Sequence, residues 1–167
     1  IFHAPTRGLM GYTSRFLTLT KGTGVINRIF HGYGKFEGEM DGRKNGALIS
    51  MATGKAVAFA IFNLQARGEM FVTHNDPVYE GMIVGLAPKP GDMIINVMKG
   101  KQLTNMRTQG TDENVVLTPV RQMSIAEQLS MLNTDEALEI TPKSLRLRKA
   151  ILNPNDRKKN EKSSTPL

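Results

Sequence analysis

The chain has 167 residues, 40% of them hydrophobic, which is enough for one domain of ordinary size to bury a core. It contains no cysteine, which excludes disulfides, thiolate metal sites and cysteine nucleophiles and leads us to expect a reducing, cytoplasmic setting. The net charge is +7, and the longest apolar runs, such as Ala56 to Phe62, fall far short of the roughly 18 to 20 residues that cross a bilayer, so no membrane partner is expected. The chain opens on Ile1 in an apolar run without a signal-peptide pattern, which reads as an internal cut through a longer protein.

Along residues 7 to 20, Leu9, Tyr12, Phe16 and Leu19 recur at helical spacing, and Gly22 and Gly24 end the predicted helix. Val25 to Phe30 reads as a strand with both faces partly covered. One helix and one or two strands cannot close a core, so residues 1 to 37 are expected to be the second half of an α/β domain. Gly38 to Asn45 reads as a connector.

From Gly46 the pattern becomes short strands bounded by turn residues, the mark of a mainly β domain over residues 38 to 152. The predicted strands are Ala47 to Met51, Val57 to Phe62, Glu69 to Thr73, Met82 to Ala87, Met93 to Met98, Asn114 to Thr118 and Ser144 to Lys149. Ser124 followed by Glu127 is a capping box opening a helix over Ile125 to Leu132. Asn153 and Pro154 mark a second helix start, after which the polar tail from Arg157 reads as disordered. Residues 153 to 167 therefore form a basic segment with a short helix.

The charge is unevenly placed. From Lys143 onward eight basic residues face two acids, whereas residues 1 to 142 are nearly neutral. Such a stripe suits a phosphate-rich partner or serves only as a solubilising tail. The histidines His3, His31 and His74 lack metal-ligand spacing, and no metal site is expected. Gly54 and Lys55 look like the end of a phosphate-binding loop, but Ile49 stands where that motif needs glycine and Ala56 where it needs Ser or Thr. No dinucleotide fingerprint, nucleophile elbow or paired-carboxylate motif occurs, so no catalytic residue is assigned.

One loop is different in kind. Met98 to Thr111 combines Lys99, Lys101 and Arg107 with the polar donors Gln102, Thr104, Asn105 and Gln109, two glycines and no acid. Lysines neutralise phosphate as point charges, arginine forms a planar fork to phosphate or a base edge, and the amides reach bases or ribose hydroxyls. A solvated hairpin loop is the competing reading. Ser144 to Lys149 alternates, with Leu145 and Leu147 on one face and Arg146 and Arg148 on the other; with Lys149 and the Arg157, Lys158, Lys159 run it would make a continuous basic surface.

Several strings also carry a family resemblance. Pro5-Thr6-Arg7-Gly8-Leu9-Met10-Gly11-Tyr12 resembles the end of the elongation-factor-G-like domain V of BipA/TypA translational GTPases. Asn45-Gly46-Ala47-Leu48-Ile49-Ser50, Leu64-Gln65-Ala66-Arg67-Gly68 and Lys99-Gly100-Lys101-Gln102-Leu103-Thr104-Asn105-Met106-Arg107 resemble that family's own C-terminal domain. The pattern departs around Thr73 to Pro77 and at Lys89-Pro90-Gly91. The resemblance implies an α+β fold: a truncated α/β (ferredoxin-like) half-domain followed by a mainly β domain with one or two helices. It implies a monomeric, cytoplasmic, ribosome-binding piece whose partners are the ribosome, large-subunit ribosomal RNA and the acceptor end of the A-site transfer RNA. The loop from Lys99 to Gly110 would enter the peptidyl-transferase region. GTP and Mg would belong to the parent's G domain, with no cofactor in this chain. The parent would act in translation, large-subunit assembly or stress adaptation. The alternative from a different class is a protein-interaction or structural module.

Overall fold

A computed structural model describes residues 1–36, 38, 43–100, 116–120 and 122–164. In chain order its elements are a 3-10 turn (Thr6–Leu9), α1 (Tyr12–Leu19), β1 (Ala47–Ser50), β2 (Gly54–Lys55), α2 (Ala58–Gln65), β3 (Glu69–Met70), β4 (Pro77–Val78), β5 (Ile83–Leu86), β6 (Met93–Ile95), α3 (Ile125–Ser130), β7 (Glu136–Ile140), β8 (Leu145–Lys149) and α4 (Pro154–Ser164). The fold is α+β, as expected. Two compact units form, one from residues 1–43 with 123–134 and one from residues 44–122 with 135–167.

In the first unit α1 is shorter than its apolar spacing predicts, because Met10 and Gly11 separate it from the 3-10 turn that holds Leu9. Val25 to Phe30 does not form a strand. A strand exists only through a partner's ladder of hydrogen bonds, and among the described residues none pairs with it; Val25, Ile29 and Phe30 are 82%, 92% and 75% exposed. The capping box forms as read: Ser124 Oγ accepts from the Glu127 N–H at 3.3 Å and Glu127 Oε2 from the Ser124 N–H at 3.0 Å. The resulting helix belongs to this unit and not to the β domain; the Arg43 guanidinium donates to the Met131 carbonyl at 3.0 Å, tying the connector to α3.

The second unit holds the core. All four residues of β1 are buried, so β1 must lie inside a sheet. It pairs antiparallel with β5 and parallel with β6, and β3 adds antiparallel to β5, giving the order β3-β5-β1-β6. Leu48, Val84 and Ile95 from this sheet meet Ile61 and Leu64 of α2 in one apolar cluster.

The run Val57 to Phe62 forms the start of α2, not a strand. A short apolar run fits either structure by periodicity. Here the Val57 N–H still bonds the Val97 carbonyl at 2.9 Å, but from Ala58 the chain turns helical, and Ala60, Ile61 and Leu64 are the buried face. His74 Nδ1, from a distant stretch of chain, accepts the N–H of Ala58, the first helical residue, at 3.2 Å and so satisfies one of the free N–H groups of the helix start. Of the expected strand Asn114 to Thr118, residues 116–118 carry no regular structure, and Leu117 rests partly buried on the core. β2 and β4 pair with each other in a two-residue ladder that sequence pattern missed.

β7 and β8 form an antiparallel hairpin in continuous register from Glu136↔Lys149 to Ile140↔Leu145. The hairpin docks at Gly81, whose carbonyl accepts the Lys149 N–H at 2.9 Å and whose N–H bonds the Ser50 carbonyl at 3.0 Å. Gly81 has φ +83°, and a Cβ there would lie 2.7 Å from Leu152 Cα, so the position demands glycine on two counts. The helix expected at Asn153-Pro154 runs to Ser164, past the Arg157 boundary at which disorder was expected.

Candidate nucleic-acid interface

The basic residues fall into three groups with different fates. The first is the loop. Its approach is fixed by Val97, fully buried, and by Met98, whose N–H bonds Asn96 Oδ1 at 2.9 Å; Lys99 and Gly100 follow, exposed. Lys101, Gln102, Thr104, Asn105, Arg107 and Gln109 lie outside the described residues.

The second group is β8. Arg146 and Arg148 share one face, as alternation predicts. Arg146 Nη1 lies 3.7 Å from Glu139 Oε1, and the other oxygen of that carboxylate accepts the Tyr79 hydroxyl at 2.5 Å. Burial pushes the Tyr79 hydroxyl up, the hydrogen bond to Glu139 and that group's charge add to it, and Arg148 and Arg146 oppose; the net rise is from 10.0 to about 12. Arg148 Nη1 donates to the Lys149 and Ala150 carbonyls at 3.1 and 3.4 Å.

Lys149 does not belong to a basic surface. Its side chain is 2% exposed, and its ammonium pairs with Asp92 at 2.5 Å, Asp135 at 2.6 Å and Glu136 at 2.9 Å. Burial works against the charge, but hydrogen bonds to Asp135, Asp92 and Glu136 outweigh it and hold the ammonium above its ordinary value of 10.5. The reason for the correction is geometric: Lys149 follows Leu145 and Leu147 on the inward face of the strand. Oxygens of the three acids lie within 4.8 Å of one another, a spacing suited to a cation, and the Lys149 ammonium is the cation that bonds all three. Asp92 Oδ1 also accepts the Ala47 N–H at 2.7 Å, so the cluster ties β8 to the start of β1.

The third group is α4. Asn153 Oδ1 caps it, accepting from the Asn155 and Asp156 N–H groups at 2.8 and 3.4 Å. Arg157 turns back, and its Nη1 donates to the Ile151 and Leu152 carbonyls at 3.1 and 2.6 Å, so part of its donor fork serves the fold. Lys158 and Lys162 are exposed, and Lys159 makes a surface pair with Asp156 at 3.4 Å. Such pairs contribute little, so these three lysines remain available to a polyanion. The sequence reading gave no role to Arg67 and Lys89, which flank a groove beside Asp92. Among the described residues no helix is long and apolar enough to cross a membrane.

Fold and surface together define a small α+β module built on a mixed sheet, with at least partly exposed positive charge on β8 and α4, at Arg67 and Lys89, and at the approach to residues 101–115. Residues 45–154 match the TypA/BipA C-terminal domain, and the chain belongs to that family. It is 47% identical over 163 residues to the large ribosomal subunit assembly factor BipA of Buchnera aphidicola, with 97% of this chain and 27% of that protein covered. The protein of the same name from Salmonella typhimurium is 47% identical over 93% of this chain and 26% of its own length, and that of Haemophilus influenzae 43% identical over 96% and 26%. The chain thus spans about a quarter of the length of these relatives.

Proposed function

We propose that this chain is a ribosome-binding C-terminal part of a BipA/TypA-like ribosome-associated GTPase, contacting large-subunit RNA through the Lys99 to Gly110 loop and the exposed cations of β8 and α4. The observation that carries the reading is similarity over nearly the whole chain to proteins named large ribosomal subunit assembly factors. The charge distribution supports it: Arg146, Arg148, Lys158, Lys159 and Lys162 have side chains at least partly open to solvent, as a phosphate-contacting surface requires. Lys149 is withdrawn from that surface. The acceptor end of the A-site transfer RNA is the second RNA partner, and the setting is cytoplasmic.

GTP and Mg belong, in this reading, to the parent's G domain. Gly54 and Lys55 lie in β2, paired with β4, and not in a loop that opens a helix. The purified chain should therefore show no saturable GTP binding by calorimetry, and saturable binding would overturn this assignment.

The test is a titration of the chain with large ribosomal subunits at two salt concentrations. Replacing Lys99, Lys101 and Arg107 together by alanine removes up to three phosphate neutralisations and should flatten the log-log salt slope by about 2 to 3 units. Truncation after Leu152 should weaken binding to any polyanion. A triple variant with unchanged affinity and slope would make the loop a solvated hairpin, and an unaltered chain that ignores the subunits would leave the protein-interaction reading in its place.

A further inference from the structure

We propose that Arg67 and Lys89 form a second phosphate site, a groove that takes one nucleotide of single-stranded RNA and uses none of the cations assigned to the loop, β8 or α4. The inference rests on the RNA reading above and adds a location to it. Arg67 lies between α2 and β3, where its N–H bonds the Leu64 carbonyl at 2.8 Å. Lys89 lies in the link from β5 to β6, Pro88-Lys89-Pro90-Gly91. Two prolines stiffen this link, and its base is pinned: the Gly46 N–H donates to the Lys89 carbonyl at 3.0 Å and the Ala87 N–H to the Gly46 carbonyl at 2.9 Å. A Cβ on Gly46 would stand 1.8 Å from the Gly91 carbonyl oxygen, so link and β1 touch backbone to backbone.

The groove between these segments measures about 490 Å³, within the size range of small-ligand clefts. Its one acid, Asp92, is committed to the Ala47 N–H and the Lys149 ammonium. Arg67 and Lys89 are exposed and make no ion pair among the described residues. The rest of the lining is apolar and includes Pro88, Pro90 and Met93. Two unspent cations beside an apolar wall fit a nucleotide: the planar guanidinium and the ammonium take the phosphate, and the flat base or ribose lies against proline and methionine. A carboxylate-rich peptide would use the cations and leave the apolar wall uncovered.

The experiment compares the unaltered chain with Arg67→Gln/Lys89→Gln, both against large ribosomal subunits and against a single-stranded oligouridylate, at two salt concentrations. Both side chains are exposed, so the variant keeps its fold, which its thermal transition checks. The expected result is a roughly tenfold weaker affinity for both RNAs at low salt and a slope flattened by about 1 to 1.5 units, with a larger loss in Arg67→Glu/Lys89→Glu. Equal affinity and slope in variant and unaltered chain would overturn the groove and leave the RNA reading standing. An unaltered chain that binds neither probe would overturn both. In a third arm, inorganic phosphate is titrated against a matched chloride control; stabilisation of the unaltered chain alone, with RNA binding unaffected by the variant, would assign the groove to free phosphate and reject the RNA assignment.

Discussion

Lys149 shows how one side chain can be legible in its direction and illegible in its partners. The alternation of Leu145, Leu147 and Lys149 already points the lysine inward; what sequence could not supply is that Asp92, Asp135 and Glu136 arrive there from two other stretches of chain. Removing the ammonium deprives Glu136, whose side chain is fully buried, of a positive charge 2.9 Å from its carboxylate. Lys149→Met should therefore destabilise the second unit by about 3 to 5 kcal/mol at neutral pH, read from urea unfolding. Alkaline pH tests Lys149 together with Tyr79. The folded state holds the Lys149 proton above the ordinary 10.5 and the Tyr79 proton from 10.0 up to about 12, so it retains protons that the unfolded chain releases. Stability is thus complete below about pH 10 and falls as pH rises through these values. Tyr79→Phe should flatten that fall between pH 10 and 12, and a profile unchanged from the unaltered chain would show that the Tyr79 to Glu139 contact does not persist in solution.

Elements specified by local chemistry were readable, and elements specified by neighbours were not. Ser124 with Glu127, and Asn153, satisfy helix-start N–H groups from within a few residues, Pro154 has no N–H to satisfy, and both helices begin where these signals stand. The apolar run at Val57 to Phe62 has no such internal arbiter: the bond from the Val57 N–H to Val97 and the cap from His74 decide it. Glu136 to Ile140 is rich in helix formers, yet pairing with β8 makes it a strand. The hairpin's docking depends on one backbone position. Gly81→Ala meets both a positive φ and the Leu152 backbone, and should cost about 1 to 3 kcal/mol in urea unfolding, with m unchanged. A similar loss in a control such as Gly34→Ala, where nothing lies within 4 Å, would show that the cost is not specific to the docking point.

The whole molecule combines a unit with a core and a unit without one: among the described residues every fully buried hydrophobic side chain belongs to residues 44–122 or 135–167. Amide exchange should accordingly be faster at Phe16 and Leu19 than at Ile61 and Val84, and equal protection would mean that the first unit is stabilised by something other than buried apolar surface. The α+β class and the family were legible from short strings spread along the chain. The proposed contact surface was legible only as charge, because burial decides which cations remain outside. The Lys149 cluster also bears on time. β1, β5 and β6 are complete once Ile95 has been made, but Lys149, which pairs with Asp92, is carried on β8, the last strand among the described residues. During synthesis the sheet would emerge before the lysine that bridges it to the β7–β8 hairpin, and the Lys149 cluster could form only when β8 had left the exit tunnel. Closure of the cluster therefore follows the emergence of β8, and nascent chains arrested before Lys149 should remain sensitive to protease where those extended past Ser164 resist it.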